Sequence, residues 1–337
     1  MEKDDTMKIK RKKFYDKFLE ILNDYEKIVL IPHNEIDLDA LGSSIGLYMF
    51  LETLNKEVYI NIDETNTELG VKRAIQKIKD LDLNLDIKNL NNIEVDSNTL
   101  LIILDHHKKE MSQNQDIYKL SKNIVIIDHH IEGRESISNC IIKYIDEEAS
   151  STVEIIFDLL SNKNINIPNY IATVMLAGLT LDTNNFTIKT TEKTHEVAAE
   201  LTKQGAISKE VQYLLKEDLK QYINMQKIIF NTEIVNGMYA ITTGKRSEIY
   251  SKDQLAKIAD SLLQFDDIEA SFCIGKINTN IVGISARSLG NINVQKIMEK
   301  LNGGGHVTDA ACQMYNTNLI EAKKELLKII NRNTNYQ

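Results

Sequence analysis

Leu100-Leu101-Ile102-Ile103-Leu104 runs directly into Asp105-His106-His107, and Ile124-Val125-Ile126-Ile127 runs directly into Asp128-His129-His130. Short, continuous apolar runs of this kind read as strands buried on both faces, as in a parallel sheet. In open α/β sheets, chemistry collects just beyond the carboxyl ends of the strands. A carboxylate beside two imidazoles at such an end is a mixed oxygen and nitrogen donor set for a metal ion. The chain writes it twice.

Outward from these runs, the first two-thirds alternates strand and helix. Strands are expected at 27–32, 57–62, 100–105 and 124–128, and helices at 12–25, 41–54, 70–79, 151–160, 170–181 and 194–203. This alternation predicts the α/β class, with a mostly parallel sheet and helices on both faces. One long charged helix is expected over 208–230. Beyond it, strands near 233–243, 270–276, 282–287 and 310–315 mix with helices near 252–263, 294–301 and 319–331. In the second of these helices Val294, Ile297, Met298 and Leu301 share one face, as a buried stripe requires. The expected organisation is a first domain over 1–205, a helical linker over 206–230 and a smaller α+β domain over 231–337.

Composition narrows the function. With 40 Lys and Arg against 49 Asp and Glu, the net charge is −9. Bulk electrostatics therefore oppose binding of long nucleic acid, although a small anion can still enter a locally positive pocket. The three cysteines are scattered without paired spacing, as reduced thiols of a cytoplasmic protein would be. No apolar stretch approaches the roughly 20 residues of a membrane helix. Lys8, Lys10, Arg11, Lys12 and Lys13 lead into the first helix. They read as a solvated face or as a junction to a membrane or sensor module.

Further candidate ligands follow the first strand, in His33-Asn34-Glu35-Ile36-Asp37-Leu38-Asp39. In extended chain, Asp37 and Asp39 point the same way. Asp39 falls near a helix start, where the dipole favours a carboxylate, and His33 is close enough to join Asp37 on one cation. Asp39 as a plain N-cap leaves the other two unexplained. Asp182 ends the apolar run 175–181, where a cap is the simpler role for a lone aspartate. Taken together, Asp37, Asp39, Asp105 and Asp182 supply four carboxylates, and His33 and His129 two imidazoles. Four converging buried carboxylates need compensating cations. Two divalent ions match that charge, with one aspartate bridging them. A donor set rich in oxygen and free of thiolate suits manganese or magnesium. Two such ions roughly 3.5–4 Å apart serve phosphoryl transfer.

Gly303-Gly304-Gly305-His306 follows the helix 294–301. One glycine is expected there as a helix C-cap. Three let backbone amides approach an anion, and His306 adds a donor; a plain loop is the alternative. Arg287 ends an expected strand, free to grip phosphate in bidentate fashion or simply to lie on the surface.

These motifs resemble the DHH phosphoesterases with a DHH-associated C-terminal domain. The first family motif is similar to His33-x3-Asp37-x-Asp39-Ala40-x-Gly42, the signature triplet to Asp128-His129-His130, and two further motif aspartates to Asp105 and Asp182. The resemblance spans about 27–327. It implies a catalytic first domain in which His33, Asp37 and Asp105 hold one metal. Asp39, Asp105, His129 and Asp182 hold the other, so that Asp105 is both bridge and catalytic residue. It implies that His130 faces the phosphate as acid or donor, that His107 supports from behind, and that His106 is incidental. Arg287, Ser288, Gly303, Gly304, Gly305 and His306 would bind substrate in the second domain.

Residues 284–290, 293–295 and 303–306, with 211–218 and 269–272, resemble the GdpP-type cyclic-di-AMP phosphodiesterases in particular. That implies two manganese ions (magnesium or another divalent metal also fits) and hydrolysis of cyclic di-AMP to 5′-pApA. A homodimer follows from the same resemblance. The chain reads either as a stand-alone enzyme or as the catalytic part of a membrane-anchored protein. Where relatives carry Arg-Arg-Gly after the triplet, this chain has Ile131-Glu132-Gly133-Arg134, which displaces a basic residue to Arg134. The rival readings are a nanoRNase or 3′,5′-adenosine bisphosphate phosphatase of the same superfamily, acting on short oligonucleotides, and a nucleotide sensor that does not hydrolyse.

Overall fold

The structure, a computed structural model, describes residues 2–64, 67–133 and 135–334. Arg134 lies outside them. Two compact units divide after Glu217.

The first unit contains α1 (Glu2–Leu22), β1 (Lys27–Ile31), α2 (Leu38–Glu52), β2 (Glu57–Asn61), α3 (Leu69–Asp80), β3 (Ile87–Lys88), β4 (Leu100–Leu104), α4 (Ile117–Leu120), β5 (Ile124–Asp128), β6 (Ile142–Ile145), α5 (Thr152–Asn162), α6 (Asn169–Asp182), α7 (Glu192–Lys203) and α8 (Ser208–Leu214). Its six strands lie in the order β3-β2-β1-β4-β5-β6, every pair parallel. The order reverses between β1 and β4, and the crevice beyond such a reversal is where open α/β sheets bind ligands. Alternate residues of β4 split between two cores. Leu100, Ile102 and Leu104 face the core formed with α1, α2, α3, α5 and α6. Leu101 and Ile103 face a smaller one closed by the single turn α4 and loops. Helices thus lie on both faces, but unequally. That double burial is why the runs show no polar alternation. No helix among the described residues is long and apolar enough to cross a membrane.

The second unit contains α9 (Leu219–Ile229), β7 (Glu233–Val235), β8 (Tyr239–Thr243), α10 (Lys252–Leu262), β9 (Ala270–Asn278), β10 (Ile281–Ser288), α11 (Val294–Glu299), β11 (Gly304–Gly305), β12 (Asp309–Tyr315) and α12 (Leu319–Thr334). Its mixed sheet runs β11-β12-β10-β9-β8-β7. The face carrying Val282, Ile284, Ala286 and Cys312 packs on α11 and α12.

Three expectations are corrected. The helix expected over 208–230 is two helices. The Arg73 guanidinium donates to the carbonyls of Tyr213 and Lys216, which ends α8, and the Asp218 side chain accepts from Gln221 N–H, which starts α9. The strand expected over 233–243 is a hairpin, turning at Asn236 and Gly237, both with positive φ, as an Asn-Gly turn prefers. The basic run of α1 is not uniformly solvated. Arg11 is buried and pairs with Asp146 at 2.7 Å, Asp158 at 2.7 Å and Glu154 at 3.4 Å.

Candidate metal centre

β1, β4 and β5 are neighbours, so their carboxyl ends set His33, Asp105 and Asp128-His129 side by side. Asp37, not Asp39, is the N-cap of α2: its Oδ1 accepts from the amides of Asp39 at 3.0 Å and Ala40 at 2.9 Å. The two aspartates are therefore not consecutive outward residues of an extended segment. Asp39 lies in the first helical turn, fully buried, where its oxygens accept from Thr152 N–H at 2.7 Å and Val153 N–H at 3.0 Å. The free amides of α5 thus hold a carboxylate from another helix. Asp182, the last residue of α6, reaches the same place because Gly178 lets α6 lie against the start of α2. A Cβ on Gly178 would stand 2.5 Å from Leu38 O and 2.7 Å from Asp39 Cα.

Two donor clusters result. His33 Nε2 lies 3.7 Å from Asp37 Oδ1 and 3.5 Å from Asp105 Oδ2. His129 Nε2 lies 2.9 Å from Asp182 Oδ2, 3.4 Å from Asp105 Oδ1 and 4.0 Å from Asp39 Oδ2. Three triads have potential ligand atoms all within 4.8 Å of one another: His33, Asp37 and Asp105; Asp105, His129 and His130; and Asp39, His129 and Asp182. Asp105 turns Oδ2 to His33 and Oδ1 to His129, which in turn faces Asp39 and Asp182. Its backbone is left-handed, with φ of 62°, a conformation that costs a non-glycine residue roughly 1 kcal/mol or more and here turns the carboxylate off the strand end. The donor set fits divalent cations. Both ring nitrogens of buried His129 lack a hydrogen-bond partner, although Nε2 stands among three carboxylates. A lone pair aimed at a cation accounts for Nε2.

The charges point the same way. Burial, reinforced by the charge of Asp182, pushes the Asp39 carboxyl up to about 7. Burial and the charge of Asp37 push Asp182 up to about 8. Burial and Asp39 raise Asp105 well above the ordinary range. Burial of Asp37 also disfavours its charge, but the hydrogen bond and charge of His33 outweigh this and pull it down to about 2. Divalent ions held by these carboxylates would relieve that crowding.

Behind the clusters, Asp128 is fully buried and acts as an orienting group. Its Oδ1 accepts from the backbone of His129 and His130 and from His130 Nδ1 at 2.8 Å, and its Oδ2 meets His107 Nδ1 at 2.5 Å. Burial opposes its charge, yet the bonds from His107 and His130 outweigh it and hold the carboxyl far below the usual range. With Nδ1 engaged, His130 presents Nε2 outward from a half-exposed ring. His106 is not incidental. It is buried, with Nδ1 to Leu104 O at 2.9 Å and Nε2 to Ser112 Oγ at 2.7 Å, and burial lowers its pKa to about 4.

In the second unit, Arg287 is not free. Its Nε donates to Asp260 at 2.8 Å and its Nη1 to Ala286 O at 3.0 Å. The Ser288 hydroxyl is buried, donating to Val307 O and accepting from Gly290 N–H. The helix-ending residue after α11 is Asn302, with φ of 59°, rather than a glycine. Gly303 and Gly305 answer to packing, because a Cβ on either would strike β12 at Ala311 and Ala310 respectively. Gly304 meets nothing within 4 Å, and the backbone of His306 bonds to Asp309 O, leaving its side chain exposed. Sequence reasoning missed Thr152, Gly178 and the orienting role of Asp128. Only the last carried a signal, the triplet itself.

Residues 27–179 match the DHH family N-terminal domain, and residues 234–335 match the DHHA1 domain. The chain belongs to the DHH family. This DHH chain is similar to the cyclic-di-AMP phosphodiesterase GdpP of Geobacillus thermodenitrificans, 36% identical over 317 residues, which cover 92% of the chain and 48% of that protein. It spans about half the length of the curated cyclic-di-AMP phosphodiesterases it matches. The bifunctional oligoribonuclease and PAP phosphatase NrnA of Thermus thermophilus is 24% identical over 90% of this chain and 89% of its own. The fold matches the crystal structure of an exopolyphosphatase-related protein from Bacteroides fragilis, with a TM-score of 0.74 at 22% identity over 94% of both chains.

Proposed function

We propose that this chain is a manganese-dependent phosphodiesterase that hydrolyses cyclic di-AMP to linear 5′-pApA. The observation that carries the reading is Asp105, whose two oxygens face two separate donor clusters. The similarity to cyclic-di-AMP phosphodiesterases supports the choice of substrate. His33, Asp37 and Asp105 would hold one divalent cation, and Asp39, Asp105, His129 and Asp182 the other. Cations bound there would activate water and stabilise charge on the phosphoryl oxygens.

The remaining work belongs to the chain's own groups. Asp128 fixes His130 so that Nε2 can hydrogen-bond the phosphate or protonate the departing oxygen. The Asp128–His107 contact holds that carboxylate in turn. The Thr152 and Val153 amides orient the buried Asp39 carboxyl and favour its charged form against burial. Arg287, already oriented by Asp260, Gly304 with its open backbone, and the exposed His306 would hold the substrate's phosphate; Ser288, Gly303 and Gly305 shape that loop. The free cysteines accord with a cytoplasmic setting, and a homodimer remains part of this reading.

A second reading, nanoRNase or 3′,5′-adenosine bisphosphate phosphatase, draws on the end-to-end similarity to NrnA. Side-by-side turnover with manganese separates them. The account expects cyclic di-AMP to be consumed with accumulation of pApA, and faster than pApA or adenosine bisphosphate. Preferential loss of either linear substrate favours the second reading. Recovery of all three intact would mean a sensor.

A further inference from the structure

We infer that Thr152 is the positioning residue of the dinuclear centre: its hydroxyl fixes which oxygen of Asp105 faces which cation, while its amide fixes Asp39. The inference rests on the two-cation reading above. Thr152 is fully buried at the first position of α5. Its Oγ1 donates to Asp105 Oδ1 at 2.9 Å and its N–H to Asp39 Oδ2 at 2.7 Å, while Val153 N–H takes the other Asp39 oxygen at 3.0 Å. One residue thus ties the carboxylate at the end of β4 to the one at the start of α2.

The consequence is asymmetric. Asp105 Oδ1 is the oxygen facing His129, and Oδ2 the one facing His33. A hydroxyl donated to Oδ1 occupies one lone pair and stops rotation about the Cβ–Cγ bond, so the other lone pair stays aimed at the cluster of Asp39, His129 and Asp182. The donor itself is immobile. Ser151 Oγ accepts from Glu154 N–H, and the Glu154 carboxylate accepts from the Ser150 amide and hydroxyl, the Thr194 hydroxyl and Arg11. The turn that carries Thr152 is therefore bolted to α1 and α7, and the hydroxyl points one way. Removing an outer partner of a metal-ligating carboxylate lowers metal affinity by roughly 10–100-fold. Here the loss should fall on the site that Oδ1 serves.

The test is manganese titration of the chelator-treated full chain by calorimetry, with electron paramagnetic resonance to detect coupling between paired ions. Three proteins are compared: wild type, Thr152→Val, which keeps the amide and the shape, and Thr152→Ser, which keeps the hydroxyl. Wild type should bind two ions. Thr152→Val should weaken one of them by roughly 10–100-fold, lose the coupled signal at limiting metal, and leave the other ion and the metal-free melting temperature near wild type. Thr152→Ser should restore both. Two unaltered sites in Thr152→Val overturn the inference. So do equal weakening of both sites with a lowered metal-free melting temperature, and failure of Thr152→Ser to rescue. Fewer than two ions in wild type would overturn the dinuclear centre itself, and this inference with it.

Discussion

Gly178→Ala adds one methyl group at the crossing of α6 over α2. The new Cβ would lie 2.5 Å from Leu38 O and 2.7 Å from Asp39 Cα, both backbone atoms that no rotamer change can move. Ordinary contact begins near 3.4 Å, so the two helices must part by about 0.9 Å. Asp39 rides on one and Asp182, one turn beyond Gly178, on the other, so the separation appears directly between two members of the His129 cluster. Overpacking costs about 1–3 kcal/mol, but alanine in place of a mid-helix glycine recovers up to about 1 kcal/mol. The expected net loss of stability is thus about 0–3 kcal/mol. A displacement near 1 Å, by contrast, can cost roughly 100-fold in catalysis. Urea denaturation and cyclic-di-AMP turnover should therefore diverge, with near-normal folding and turnover down roughly 100-fold. A variant with wild-type turnover and manganese affinity would refute the claim that this glycine sets the Asp39–Asp182 spacing.

Asp128→Asn keeps the shape but leaves His130 and His107 without their anion, and kcat should fall roughly 10²–10⁴-fold with manganese binding retained; an unchanged kcat removes His130 from the chemistry. Arg11→Met strands Asp146, Asp158 and Glu154 in a buried place and should cost about 3–5 kcal/mol in urea denaturation, whereas a loss below about 1 kcal/mol would show the cluster to be solvated. The raised carboxyls Asp39, near 7, and Asp182, near 8, keep protons in the folded state that the unfolded chain has released. Stability of the metal-free protein should therefore fall as pH rises from about 5 to 8. Manganese must displace those protons, so its thermal stabilisation should be larger at pH 8 than at pH 6, and a melting-temperature shift that is equal or larger at pH 6 contradicts the charge account.

Much of this was legible because β4 and β5 are buried on both faces: continuous apolar runs announce such strands, and a polar residue breaking the run marks the strand end where chemistry sits. His33, Asp37, Asp105 and His129 follow those ends, and the structure brings them together with Asp39 and Asp182. Spacing alone did not separate Asp37 from Asp39 as the helix cap, because either fits a helix that starts in that segment. Thr152 and Gly178 were invisible for a different reason. Each acts on Asp39 from more than 100 positions away, and neither residue type announces such a role. Arg11 was hidden inside a basic run whose neighbours look solvated. The Asn236-Gly237 turn and the Asp218 cap of α9, by contrast, were written in the sequence as local turn and cap chemistry.

The most direct test of the central claim is anomalous diffraction at the manganese edge from crystals of the full chain grown with manganese. The account predicts two peaks roughly 3.5–4 Å apart, one on each side of Asp105, the first against His33 and Asp37 and the second against Asp39, His129 and Asp182. A single peak, or two peaks with Asp105 bound to only one, would contradict it.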